Sequence, residues 1–265
     1  MTTRHLFSGL LLFCGLFGCT TPAPDLLSGK IVDLSHAYDE NTIFWPTAQE
    51  FKLEVVFKGK SDLGFYYEAN NFSTAEHGGT HVDAPAHFHK DGTSLEAIPL
   101  DRLIGEAILI DVSDKCAADR DYRVQIADFT EWEAKHGMQV NGRIVLLRTG
   151  FSRFWPDRVK YMGTDERGAE AVPHLHFPGL HPDAAEWLVK NRSIKALGLD
   201  TPSIDYGQST RFESHVILYA ANIPAFENVA NLDQLPEKDF LVFALPMKIK
   251  GGSGGPLRII ALVKA

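Results

Sequence analysis

Residues 77 to 89 read His77-Gly78-Gly79-Thr80-His81-Val82-Asp83-Ala84-Pro85-Ala86-His87-Phe88-His89. Four of the chain's eleven histidines and one carboxylate fall in this stretch. Imidazole nitrogen and carboxylate oxygen are donors that zinc and similar divalent ions accept. A histidine pair four apart would share a helix face, but Gly78, Gly79 and Pro85 argue against a helix. In an extended chain alternate residues share a face. His77, Gly79, His81, Asp83 and His87 are all odd-numbered, so an extended segment aims the ligands one way, and Gly79 leaves open space between them. The pattern reads as a metal cradle on a strand that runs into a loop. The plain alternative is a polar strand face that happens to carry histidines.

A divalent ion needs further partners. Phe212-Glu213-Ser214-His215 and Pro224-Ala225-Phe226-Glu227-Asn228 each place one ligand-type side chain among apolar neighbours. The twelve residues from His215 to Glu227 allow a helix to run out and a short strand to return. A buried glutamate is costly alone, so Glu227 needs a cation or a donor. Spacing by itself equally allows an exposed or hydrogen-bonded pair.

The elements that must position these groups are mixed, with more strand than helix. Strands are expected at 30–34, 51–57, 65–70, 106–112, 143–148, 195–199, 240–245 and 257–263. Helices are expected at 124–136, at 182–191 behind Pro182 and Asp183, and at 213–221. The order implies an α/β or α+β domain around a central sheet. The run Gly251-Gly252-Ser253-Gly254-Gly255 lacks the Gly-Lys-Ser/Thr ending of a phosphate loop and precedes a strand. It reads as a flexible connection between two strands, free to line a pocket.

The chain resembles the cyclase-like metal-dependent hydrolases, which include bacterial kynurenine formamidase and isatin hydrolase. The resemblance rests on His77-x-Gly-Thr-His81-x-Asp83-x-Pro-x-His87, Asp200-Thr-Pro-Ser-x-Asp205, and His215 with Glu227. It extends from about Val32 to the end. It implies a single β/β/α swivelling-type domain with a central barrel-like sheet, commonly a homodimer or homotetramer. It implies one or two metal ions on His77, His81, Asp83, His215 and Glu227. Zn(2+) is favoured and Mn(2+) is the alternative. It also implies that Trp45 helps to hold a flat substrate at the site mouth. Trp155, in a second aromatic loop, is a further substrate-binding candidate.

The expected chemistry is amide C–N hydrolysis of a small aromatic or cyclic substrate, as in an arylformamidase. Opening of isatin, a cyclic imide or a lactone needs the same attack and is the alternative. Asp83 could bridge two ions, and His87 would act as general base and then acid; simple support of the ligands is the other role open to His87. A reading from another class is an envelope lipoprotein that binds metal or ligand without turnover. His174, His176 and His181 sit among prolines and glycine and read as loop histidines. Asp200 and Asp205 read as turn-forming residues or as supports of the ligands, and His89 as support or exposed.

Residues 1–18 have the form of a signal peptide: Arg4, then an apolar run from Leu6 to Phe17 too short to span a bilayer. Leu16-Phe17-Gly18-Cys19 resembles a lipoprotein box, with Cys19 as the lipidation site. Residues 19–29 read as a tether and 30–265 as the enzyme domain. This implies export and lipid anchoring at the bacterial envelope, or else ordinary secretion. Loss of Arg4 takes the formal charge from -8 to -9, which disfavours nucleic acid as a partner. Cys116 is then left as a lone buried filler with no disulfide partner.

Overall fold

The computed structural model describes residues 29–264. The expected signal peptide, Cys19 and nearly all of the tether lie outside the described residues. Among the described residues twelve strands are formed: β1 (Lys30–Asp33), β2 (Lys52–Lys60), β3 (Tyr66–Ser73), β4 (His81–Asp83), β5 (Ile104–Asp111), β6 (Arg123–Val124), β7 (Ile144–Arg148), β8 (Gly179–Leu180), β9 (Ala196–Leu199), β10 (Ala225–Glu227), β11 (Phe240–Pro246) and β12 (Gly254–Val263). The helices are α1 (Leu100–Leu103), α2 (Ser113–Ala118), α3 (Ile126–His136), α4 (Arg158–Met162), α5 (Pro182–Asn191) and α6 (Glu213–Ala220).

Seven strands close on themselves in the order β12-β11-β5-β7-β9-β10-β4, because β4 pairs with both β10 and β12. Strand β1 joins β12 further along its length. The alternation within each strand explains the closure. Ala107 and Leu109 of β5, Ile144 and Leu146 of β7, and Ala196 of β9 fill the barrel interior. Their neighbours Ile108, Ile110, Val145, Leu147, Leu197 and Leu199 point outward. There they pack under Phe129 and Trp132 of α3, Leu188 of α5 and Leu218 of α6. Strands buried on both faces read as continuous apolar runs, and β7 (Ile-Val-Leu-Leu) is such a run.

Several boundaries differ from the sequence expectation, two of them for clear local reasons. The helix expected from Val124 begins at Ile126, and Arg123–Val124 instead pair with Gly179–Leu180. The Asp128 carboxylate accepts from the Gln125 backbone N–H at 2.6 Å, which fixes the helix start. The expected flexible glycine run is half strand, since Gly254 and Gly255 pair with Asp83 and Val82. No side chain on β12 could occupy that position, as the site geometry shows. Among the described residues no helix is long and apolar enough to cross a membrane.

Candidate metal centre

His81 and Asp83 are two apart on β4 and therefore share its outer face. Glu227 lies directly opposite His81 in the antiparallel β10–β4 register, which puts it on the same face. Helix α6 covers this face and contributes His215, which is buried. His77 arrives from a turn. Gly78 and Gly79 have φ of +152° and +57°, so the chain is not extended through residue 79, and the odd-even rule holds for His81 and Asp83 alone. The glycines also do not leave open space. A Cβ on Gly79 would lie 2.6 Å from the Tyr38 ring, and one on Gly78 would lie 2.0 Å from Phe44. Aromatic packing against the turn is the physical reason for both.

The five expected ligands nevertheless converge. Asp83 Oδ1 lies 2.7 Å from His77 Nδ1 and 3.1 Å from His81 Nε2. Asp83 Oδ2 lies 3.4 Å from His215 Nε2, which is itself 3.3 Å from Glu227 Oε1. Glu227 Oε2 is 3.4 Å from His81 Nε2. The outer atoms are already engaged. His81 Nδ1 donates to the Gly79 carbonyl at 2.9 Å, and His215 Nδ1 donates to Asp205 at 2.5 Å. Each histidine thereby turns its Nε2 inward. His81 Nε2 is buried and makes no well-aligned hydrogen bond; it faces the Asp83 and Glu227 oxygens at 3.1 and 3.4 Å, the place a cation would take.

Charge gives the same answer. Burial opposes ionisation of Asp83, but His77, His215 and His81 hold its carboxyl well below the usual range. Burial and then the Asp83 charge push Glu227 up. Burial alone would lower both His81 and His215. The surrounding carboxylates reverse this, holding His81 up to about 9 and His215 well above its ordinary value. Two carboxylates in a dry site call for positive charge, supplied by protons or by a metal ion. The residue set fits a divalent cation. Two ligand-spaced groups share Asp83: His77 with His87, and His81 with Glu227.

His87 ends a single 3-10 turn, Pro85–His87, and its ring stacks on His77 at 3.7 Å. Burial pushes its imidazole down to about 4. The cluster floors a cavity of about 270 Å³ whose walls include Ile43, Phe44, Trp45, Phe88 and Phe212. Phe212 has φ +48° as it enters α6, and Asn228, next to Glu227, has +53°. Such backbone strain in side-chain-bearing residues collects at functional sites.

Trp45 thus lines the cavity. Trp155 does not. It stacks on His36 at 4.1 Å and meets Tyr161 edge-on, so packing against a buried histidine consumes its ring. His174 and His176 pair with Glu166 and Asp121. His181 accepts from the Asp183 N–H at the start of α5. Asp200 accepts from the Thr149 and Gly150 backbone N–H groups and shapes that turn. His89 joins neither ligand group. Cys116 is buried and free. Sequence reasoning missed Tyr219, whose hydroxyl donates to Asp83 Oδ2 at 2.7 Å. Its place four residues after His215 on α6 was the available signal.

Comparison with known proteins agrees with this geometry. An isatin hydrolase of Roseibium aggregatum is 32% identical over 256 residues, covering 90% of this chain and 94% of that protein. A kynurenine formamidase of Bacillus cereus is 28% identical over 229 residues, covering 86% and 95%. The structure of isatin hydrolase A from Ralstonia solanacearum superposes with a TM-score of 0.79 at 33% identity, covering 89% of this chain and 92% of that one. The family described as "Putative cyclase" matches residues 32–206, and the chain belongs to it.

Proposed function

We propose that this chain is a metal-dependent hydrolase that cleaves the C–N amide bond of a small aromatic or cyclic substrate. The observation that carries this reading is the convergence of five ligand-type side chains, Asp83 among them, at the floor of an apolar-walled cavity. His77, His81, Asp83, His215 and Glu227 would hold one or two divalent ions. Zn(2+) is favoured by the imidazole-carboxylate set and Mn(2+) is the alternative. A divalent ion held there supplies Lewis acidity, which acidifies water and polarises a carbonyl oxygen.

The protein's own groups do the rest. Tyr219 and the three histidines hold both Asp83 oxygens in place. The Ile204 backbone N–H donates to Glu227 Oε1 at 2.7 Å and fixes that carboxylate. Phe44, Trp45, Phe88 and Phe212 line the cavity and offer flat surfaces to a ring. The cavity, about 270 Å³, suits a small molecule of one or two rings. His87 would take a proton from the attacking water as the C–O bond forms. It would return that proton to the nitrogen as the C–N bond breaks.

Within this reading, opening of a cyclic amide is supported by the likeness to isatin hydrolases. N-formyl arylamine cleavage is supported by the formamidase relatives. The test is elemental analysis of the purified protein, then turnover of isatin, N-formylkynurenine, cyclic imides and lactones after zinc or manganese loading. Metal-dependent hydrolysis of either amide class is the expected result. Stoichiometric metal with no turnover across the panel would favour a non-catalytic envelope binding protein and end the enzymatic reading.

We also propose assembly into a homodimer or homotetramer. The β2–β3 hairpin leaves Leu53, Val55, Phe57, Phe65, Tyr67 and Phe72 exposed, and a lone two-stranded hairpin is marginal in water. Export with a lipid on Cys19 is proposed from the amino-terminal sequence pattern.

A further inference from the structure

His77 differs from the other two histidines of the cluster. His81 and His215 turn Nε2 inward, whereas His77 turns Nδ1 towards Asp83. Something must hold its ring in the opposite sense. Its Nε2 lies 2.8 Å from Ser253 Oγ. That hydroxyl donates in turn to Glu76 Oε2 at 2.7 Å, and the Ser253 backbone N–H donates to the same oxygen at 3.0 Å. The Ser253 proton is spent on Glu76, so the hydroxyl oxygen is left to accept from His77 Nε2–H.

We infer that Glu76 and Ser253 are positioning residues that fix the ring of His77 with Nε2–H outward and Nδ1 facing the Asp83 cluster. This rests on the metal-site reading above. The glycine-rich loop is built around the ring. A Cβ on Gly254 would lie 2.5 Å from His77 Cε1, and one on Gly252 would lie 2.9 Å from Glu76 Oε1. The loop is itself pinned, because Ala84 N–H donates to the Ser253 carbonyl and Leu95 N–H to that of Gly252. On the opposite side the His87 ring stacks on His77. Without the hydroxyl, the ring keeps its packing but loses the partner that decides which nitrogen carries the proton. Groups that orient metal-bound histidines in this way commonly change metal affinity or activity by about 10–100-fold.

Two readouts test this in the full mature chain. Imidazole nitrogen NMR on histidine-labelled protein, with and without zinc, reports the His77 Nε2–H. In the parent it should appear as a hydrogen-bonded proton in both states. In Ser253→Ala it should exchange with water, and Ser253→Thr should restore it. Zinc competition titration should show about 10–100-fold weaker binding for Ser253→Ala and Glu76→Ala, with Glu76→Gln, which keeps an acceptor, within a few-fold of the parent. A parent His77 Nε2 without a proton, or Ser253→Ala and Glu76→Ala matching the parent in both readouts, would overturn the inference. A parent that binds no zinc would sink the metal-site reading instead, and the metal-free NMR result would still decide the relay. Glu76 is only half-buried, so its variants keep the test sound if Ser253→Ala fails to fold.

Discussion

His215 Nδ1 and Asp205 Oδ2 lie 2.5 Å apart, ten residues apart in the chain, on the side of the imidazole away from the carboxylate cluster. Asp205 does two things with one side chain. Its oxygens also accept from the backbone N–H groups of Ser214 and His215 at the start of α6. Helix position and ring orientation are therefore set together. Asp205→Ala should cost about 1 kcal/mol of stability through the lost cap and weaken zinc binding about 10–100-fold. Thermal unfolding and zinc titration check the two parts. Parent-like zinc affinity in a folded Asp205→Ala protein would show that His215 needs no such partner.

Asp83 touches every other member of the site through one oxygen or the other, except Glu227, which faces it across His81 and His215. Asp83→Ala should remove bound metal and abolish turnover together. His87→Ala should separate the two. It should retain metal and lose about 10²–10⁴-fold in rate, the usual contribution of a general acid–base group. Elemental analysis beside steady-state kinetics reads both. Since His87 also forms a ligand-spaced group with His77 and Asp83, loss of metal from His87→Ala would make it a ligand and leave the proton shuttle unassigned.

His36 gives a pH prediction away from the reacting groups. Burial pushes its imidazole down to about 4, partly opposed by Asp33. The folded state therefore favours the neutral ring, against about 6.5 unfolded. Its contribution is fully present above pH 6.5 and is lost as the pH falls from there towards about 4. The slope is about 1.4 kcal/mol per pH unit. Urea unfolding of the parent and of His36→Gln between pH 7.5 and 4.5 should give curves whose difference narrows on acidification. A constant difference would mean that His36 does not titrate in that window.

The exposed hairpin predicts the assembly. Leu53 and Phe72 face each other across β2 and β3 and share one surface of the ribbon. Light scattering after size exclusion should give a dimer or larger for the parent and a monomer for Leu53→Lys with Phe72→Glu. A parent that runs as a monomer at micromolar concentration would remove the proposal.

Much of this molecule is readable without coordinates, for identifiable reasons. The strands β5, β7 and β11 are apolar runs bounded by polar residues, and α5 begins at a proline with an aspartate behind it. The candidate ligands His77, His81 and Asp83 sit within seven residues, where local pattern carries far. Other features depend on contacts distant in sequence. Ser253 lies 176 residues from His77, and Tyr219 lies 136 from Asp83. Only closure of the barrel brings each pair together. Trp155 fails for a related reason: an aromatic in a loop serves a cavity or a core equally well, and here His36 claimed it. The parity argument holds for the chain only in part, because the turn at Gly78 and Gly79 breaks the extended path, yet His77 still ends 2.7 Å from Asp83.

The amino-terminal pattern gives the last prediction. Arg4, the twelve-residue and almost wholly apolar run from Leu6 to Phe17, the sequence Leu16-Phe17-Gly18-Cys19 and the prolines at 22 and 24 together suggest cleavage before Cys19 and acylation of its thiol. Acyl chains hold a soluble domain at a membrane, and stable anchoring takes more than one of them. With a formal charge of -8 on the whole chain, the domain adds no attraction to anionic lipid. Anchoring should then depend on Cys19 alone. In membrane fractions the parent should sediment with the envelope and resist extraction by high salt. Cys19→Ser should be released into the soluble fraction or remain unprocessed, while the purified domain from residue 30 onward keeps the parent's turnover and metal content. Mass spectrometry should find a diacyl or triacyl mass on Cys19 at the mature terminus. An unmodified Cys19, or a mature terminus elsewhere, would refute lipidation and leave ordinary secretion as the route.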